Sequence, residues 1–451
     1  EARSLPGPRG EFLLGSLRER RRDPLGLYSR GAREYGDMVG FRMGPLRVAL
    51  VNDPVGIKRV LVDNAKNYPK GFLYEVLKPA LGHGLLTSDG EHWRAQRRLV
   101  QPAFHRGVIA GLVQTISLDV KELLTRWTAY AERGDRFDLA REMNRLTLSV
   151  VSRTLLGSDI SGNEDEVGAA LSQMLEDMNV RMLSMVRTPL SWPTPRNRRI
   201  RKSIAVLDQS VLKIISEHRS RGDGRDILTL LMKGRHEADG IAGRSMSDQE
   251  LRDEVMTMFL AGHETTANLL SWTFHLLDSH PGVVQKIRAE ITAQAFAPSS
   301  TTLEEIEKLT YTKRVLEESL RLYPPVWLFA RQAREDDVVC GYRIHARTLI
   351  AISPYVLHRT PKYWADPERF DPDRERRPEF IPFGGGARVC IGAQFAMTEA
   401  VLALAMILQN FEITRDLEFP VIADAAVTLR PANGVWVRVR KRSSTQENIQ
   451  G

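Results

Sequence analysis

One of only two cysteines in 451 residues stands at position 390, behind Gly384-Gly385-Gly386 and Arg388 and just ahead of an apolar run that reads as a helix. A thiol in that setting has three chemistries open to it. It can be a small buried hydrophobe, a nucleophile whose pKa is lowered at a helix start, or a soft ligand to a metal. The loop alone does not choose among them.

Three further groupings carry chemistry. Ala261-Gly262-His263-Glu264-Thr265-Thr266 lies within a long apolar segment. An acid there is costly unless hydrated, paired or used, and a glycine costs a helix about 1 kcal/mol against alanine, which a gap beside a ligand would explain. A hydroxyl and a carboxyl side by side suit proton delivery. The bland reading is a threonine bonded back to the preceding turn and a solvated acid. Glu318-x-x-Arg321 puts two opposite charges on one helical face, a spacing also common on surfaces. Trp93-x-x-x-Arg97 offers an indole N–H and a guanidinium, both donors to carboxylates.

The elements that must position these residues are mostly helical. The strongest start signal is Ser247-x-x-Glu250, a capping box that opens a helix running to about Asp278, where Ser279-His280-Pro281 stops it. At ~1.5 Å per residue it spans roughly 47 Å, and its middle, Val255–Leu260, is apolar nearly all round, which predicts burial. Further helices are predicted over Tyr311–Leu322 and from Cys390 to about Gln409, with a largely helical stretch from about 90 to 280. Residues 37–51 read as a hairpin around Gly44-Pro45, and Asp53-Pro54 then opens a helix. A final strand pair is expected near Val427–Leu429 and Val435–Val439.

Composition narrows the class. No Gly/Ser-rich linker or internal repeat divides the chain, so one domain over 1–451 is expected, with a β-rich part at roughly 37–65 and 325–355. Two cysteines exclude a disulfide framework and fit a reducing, cytoplasmic setting. No apolar run is long enough for a membrane span. The net charge is +8, with basic clusters at Arg18, Arg20–Arg22 and Arg94, Arg97, Arg98. Without a nucleic-acid-binding motif, these suit an acidic protein partner or a solvated face. Cys340, outside every motif, reads as a packing residue.

Phe383-x-x-Gly386-x-Arg388-x-Cys390-x-Gly392 resembles the cysteine-ligand signature of the cytochromes P450, the haem-thiolate monooxygenases. The other three groupings resemble that family's oxygen-activation, Glu-x-x-Arg and propionate-binding elements, in the family's order along essentially the whole chain. The resemblance implies a mainly α fold with a small β part, a helical triangular prism, and a bound haem b with Cys390 as iron ligand. A thiolate pushes electron density onto haem iron and favours O–O cleavage. It further implies that Phe383 shields the sulfur and that Trp93, Arg97, Arg331, Arg388 and Gly392 complete the cofactor site. Glu264 and Thr265 would manage protons, and Glu318, Arg321 and Arg369 would form a buried ion network under the loop. His263 receives no role.

The implied activity is insertion of one atom of dioxygen into a lipophilic small molecule. Electrons would come from a separate ferredoxin or flavodoxin with its reductase, which would dock near Arg94, Arg98, Arg106, Arg374 and Arg376. The chain is expected to be a monomer. The pocket walls would be Phe72, Leu85, Leu86, Met178, Met182, Leu260, Ala261, Val326, Trp327 and Val427. Fatty acids, terpenoids, steroids and macrolides all suit such walls, and the AGHETT form resembles members acting on fatty acids and bulky lipids. A peroxide-dependent peroxygenase and a non-catalytic haem-thiolate sensor are the alternatives. The Glu264-Thr265 pair argues against both.

Overall fold

The computed structural model describes residues 2–157, 164–182, 184, 188–221, 226–233, 246–298 and 300–442. It is mainly helical with small sheets, as the helical periodicity predicts.

The Ser247 capping box forms as expected, with Glu250 N–H on the Ser247 hydroxyl and Glu250 Oε2 accepting from Ser247 N–H. It starts the 31-residue helix Asp248–Asp278, called here the long helix. This helix packs against Leu139–Leu155, Thr310–Leu322 and Ala393–Asn410. Ala393–Asn410 is buried from Thr398 to Leu408 without a break. Its leucines and isoleucine, each stabilising by about 1.5–3 kcal/mol when fully buried, anchor the segment that follows Cys390. The main core cluster joins these helices to Arg106–Arg133.

The predicted hairpin is present. β1 (Met38–Met43) pairs antiparallel with β2 (Leu46–Val51) around Gly44-Pro45. β2 runs parallel to β7 (Leu349–Ile352), and β7 pairs antiparallel with β4 (Phe329–Gln332), giving the order β1-β2-β7-β4. β5 (Asp337–Val339) and β6 (Tyr342–Ile344) form a separate ribbon. Asp53 caps the next helix through Val55 and Gly56 N–H. Residues 54–63 are then helical, including a π-type turn at Arg59–Asp63, so this stretch of the expected β-rich part packs beside the sheet without joining it.

The expected terminal strand pair divides between two sheets. β10 (Leu429–Pro431) pairs with β9 (Ala423–Ala425). β11 (Trp436–Lys441) lies between β8 (Phe411–Arg415) and β3 (Arg136–Asp138). Leu139 N–H donates to the Val435 carbonyl, and Val435 N–H to Asp138 Oδ1. β11 therefore pairs with the nearby β8 and with a strand some 300 residues away, and not with β10.

Candidate active site around Cys390

Gly384 and Gly386 hold φ of +74° and +67°, the left-handed region that favours glycine. A Cβ on Gly386 would stand 2.2 Å from the Leu61 carbonyl oxygen, so the loop rests directly on the turn Arg59–Asp63. Cys390 N–H donates to the Phe383 carbonyl at 2.9 Å and closes the loop. Burial pushes the Cys390 thiol up from its ordinary value, while the Gly392 N–H and the Arg97 charge pull it down. Arg97 donates to the carbonyl of Val389, next to the cysteine, at 3.1 Å.

Cys390 is open to a water-sized molecule although it lies deep enough for desolvation to dominate its titration. Both hold if the sulfur faces an internal space. The long helix has the same feature: residues 251–260 and 266–274 are buried, yet Ala261 between them is exposed and Thr265 partly so.

Positive charge gathers beside this space. Arg388 pairs with Asp89, donates to the Ser88 carbonyl at 3.4 Å, and stacks 4.4 Å over the Trp93 ring. Arg331 is 7 % exposed and donates only to the Ala330 carbonyl among the hydrogen bonds of the described residues. Lys70 is 6 % exposed and was not singled out by the sequence. Burial, with the Arg388 and Arg331 charges, pulls its ammonium down to about 6. Buried Arg331 and half-buried Arg388, the latter paired with Asp89, beside the desolvated Lys70 amine make a site that favours an added anion. A lone lysine between Pro69 and Gly71 has no periodic signal that could have revealed this.

Among the described residues no three His, Cys, Asp or Glu side chains gather as a metal cage. An accessible cysteine, an apolar helix with a small exposed residue, and a cationic rim together fit a flat, dianionic, iron-bearing tetrapyrrole. Cys390 would hold the iron, and Arg97, Arg331 and Arg388 the carboxylates.

On the long helix, Thr265 Oγ1 donates to the Ala261 carbonyl at 2.7 Å, leaving its lone pairs as acceptors. Glu264 Oε1 accepts from Thr428 Oγ1 at 2.8 Å, and burial raises its carboxyl pKa. His263 is buried, bonded to the Phe259 carbonyl, and depressed to about 4 by burial.

Glu318 and Arg321 form a buried bidentate pair at 2.8 Å. The remaining Arg321 donors reach the carbonyls of His358, Pro367 and Arg369. The third member differs from expectation. The Arg369 residue is exposed and supplies its carbonyl, while the guanidinium 3.5 Å from Glu318 belongs to Arg374.

The expected pocket walls separate. Phe72 and Met182 meet in a cavity of about 330 Å³ with Leu73, Leu328 and Arg20. Leu85, Leu86 and Val427 are half-buried, Leu260 is buried, and Val326 is 38 % exposed. Met178 and Trp327 are core residues: Met178 is 1 % exposed, and Trp327 donates to the Ala426 carbonyl beside Tyr28. Of the basic residues expected to receive a partner, Arg106 bonds Glu304 and Glu307, Arg94 pairs with Glu91, and Arg376 with Glu317. Arg98 is exposed and donates to the Arg94 carbonyl.

The comparisons with known proteins agree on the family. The cytochrome P450 profile matches residues 5–436. The chain is 38% identical over 449 residues to cyclooctatin synthase of Streptomyces melanosporofaciens, covering 97% of this chain and 92% of that protein. It is 34% identical to cyclooctat-9-en-7-ol 5-monooxygenase of the same organism, over 89% and 87% of the two chains. With pentalenene oxygenase of Streptomyces avermitilis it shares 30% identity over 96% of each.

Proposed function

Since the chain belongs to the cytochrome P450 family of monooxygenases, we propose that it oxygenates a cyclic terpenoid, using haem b held at Cys390 and electrons from a ferredoxin or flavodoxin with its reductase. The observations that carry this reading are an exposed yet desolvated Cys390 in its glycine loop and the break in burial at Ala261 on the long helix. The terpenoid class is supported by relatives named for cyclooctat-9-en-7-ol and pentalenene, and by walls that offer exclusion rather than hydrogen bonds. The chain acts as a single-domain monomer in the cytoplasm. No helix among the described residues is long and apolar enough to cross a membrane.

Haem in this site supplies the oxidising power to place one atom of dioxygen in an unactivated C–H or C=C bond. The protein's residues set the conditions. Cys390 serves as thiolate; the Gly392 N–H and Arg97 stabilise its charge against burial. Phe383, whose carbonyl accepts from Cys390 N–H, would shield the sulfur on its side of the loop. Arg388, seated on Trp93, and Arg97 and Arg331 would orient the carboxylates. Glu264 Oε1 accepts the Thr428 hydroxyl, so Oε2 is the oxygen that carries a proton inward. The Thr265 hydroxyl, turned to Ala261, presents its lone pairs where a proton-bearing water can be held.

The test is a screen of cyclic terpene hydrocarbons and alcohols against fatty acids, read as the spin-state change in the Soret band. Hits are then run with a reductase and ferredoxin, and separately with peroxide. Terpenoid hits turned over only with the reductase support the reading. Exclusive response to fatty acids overturns the substrate class, and equal turnover with peroxide overturns the electron source.

A further inference from the structure

Segment Gly82–Ser88 carries Leu85 and Leu86 and lies across the long helix. Its contact is unusually close. A Cβ on Gly82 would stand 2.0 Å from Asp253 Oδ1, and one on Gly84 2.2 Å from Thr257 Oγ1 and 2.6 Å from the Asp253 carbonyl. Asp253, Thr257, Ala261 and Thr265 are spaced four apart and form one stripe of the helix. The segment therefore rests on the same stripe that bears the exposed Ala261.

Buried charged side chains hold its backbone at both edges. Asp253 Oδ2 accepts from His83 N–H at 2.7 Å, and Glu254 Oε2 accepts from Leu85 N–H at 3.2 Å. On the other edge Lys70 Nζ donates to the carbonyls of Leu85 and Leu86, both at 2.7 Å. Asp253, Glu254 and Lys70 are 3 %, 1 % and 6 % exposed. Among the described residues Glu254 Oε1 has no hydrogen-bond partner, and burial lifts this carboxyl to about 7. Asp253 also pairs with Arg252 and accepts from Gln249, so Lys70 and Glu254 are the two ionisable groups desolvated chiefly to bind the backbone of this short loop. A packed apolar contact would hold a loop at lower cost. What these groups add is a fixed position for two particular residues.

We propose that Lys70, Asp253 and Glu254 act as a clasp that fixes Leu85 and Leu86 over the site, and so set the size of ligand the site accepts. They are positioning residues, acting through the two leucines. The inference deepens the family reading of the site and does not depend on the terpenoid assignment. Beyond Ser88 the chain runs into Asp89, which accepts from Lys70 N–H at 2.8 Å and pairs with Arg388. The clasp therefore ties the substrate side of the site to the cysteine loop.

The test compares Glu254→Leu, which removes the acceptor, with Glu254→Gln, whose amide oxygen can still accept from Leu85 N–H. Hydrogen exchange is followed over residues 82–88. Imidazole and 1-phenylimidazole are titrated as small and large iron ligands through the Soret shift. In Glu254→Leu, exchange over 82–88 should rise by about tenfold, and the ratio of the two dissociation constants should change by about threefold or more. Glu254→Gln should match the parent in both. The clasp is overturned if exchange over 82–88 is unchanged in the leucine variant, or if it rises equally along 251–274. It is also overturned if the ratio stays fixed, or if both variants behave alike. Should Glu254→Leu fail to fold, Lys70→Met is measured with the same expectations. Parent exchange over 82–88 as fast as in the exposed turn at 416–419 would overturn the clasp without any variant. Absence of any Soret shift with imidazole in the parent would instead contradict the haem-thiolate reading, which the exchange measurement leaves separate.

Discussion

The ground beneath the cysteine loop and the loop over the long helix are both built from buried charges, but the charges are satisfied differently. Beneath the loop, Glu318 and Arg321 bind each other twice, and Arg321 spends its other donors on three carbonyls. Over the long helix, Lys70 and Glu254 bind a backbone, not each other, and Glu254 Oε1 has no hydrogen-bond partner among the described residues. A closed network holds geometry at the expense of tolerance: removing one member strands the other in a medium that cannot solvate it. An open clasp is cheaper to break, and what it loses is the placement of a loop. The sulfur is thus held by parts that resist change, and the ligand-facing side by parts that can vary.

The largest effect should follow a cut in the closed network. Arg321→Ala leaves Glu318 buried with the Asp371 N–H and the more distant Arg374, and should cost about 3–5 kcal/mol of stability, read by urea unfolding. A loss below about 1 kcal/mol would erase the contrast between the two regions. Next comes the helix stripe between them. Thr265→Ala should keep its fold and its carbon monoxide spectrum, yet lose about tenfold, or ~1.4 kcal/mol, in product formed per electron consumed. Unchanged coupling with a lowered melting temperature would return Thr265 to a helix-bonding role.

On the ligand side, Leu86→Phe should shift the product ratio by about 1 kcal/mol, since shape alone discriminates there. Its melting temperature should stay close to that of the parent. A large fall in melting temperature with an unchanged ratio would make Leu86 a core residue. The smallest effect concerns the surface. With Arg106 already bonded to two glutamates, Arg98 is left to meet an acidic partner. Arg98→Glu should slow reduction by a ferredoxin severalfold at low salt, worth less than about 1 kcal/mol, and the difference should shrink as salt rises. A salt-independent rate would move the docking surface elsewhere.

What could be read in the sequence was local. The Ser247 capping box, the Gly44-Pro45 turn and the Asp53 cap each depend on residues within a few positions, and each forms where predicted. The glycines around Cys390 announce a backbone that only they can adopt. Features decided by distant partners were not legible. Arg374 supplies the guanidinium near Glu318 because the irregular stretch after Trp364 folds back on itself, which no period encodes. Trp327 resembles a pocket wall by type, but its indole N–H is drawn to the Ala426 carbonyl and its ring to Tyr28. β11 pairs with β8 and with the distant β3 rather than with its expected neighbour, a choice no local pattern encodes. Lys70 takes its meaning from carbonyls 15 and 16 residues on, and from Arg388 far along the chain.

The central claim is that Cys390 is the thiolate ligand of a bound haem, and the most direct measurement is the absorbance of the reduced protein under carbon monoxide. The parent should give the strongly red-shifted Soret band of thiolate ligation. Cys390→His should lose that band even where haem is retained. A parent without the band, or a Cys390→His variant that keeps it, would contradict the assignment.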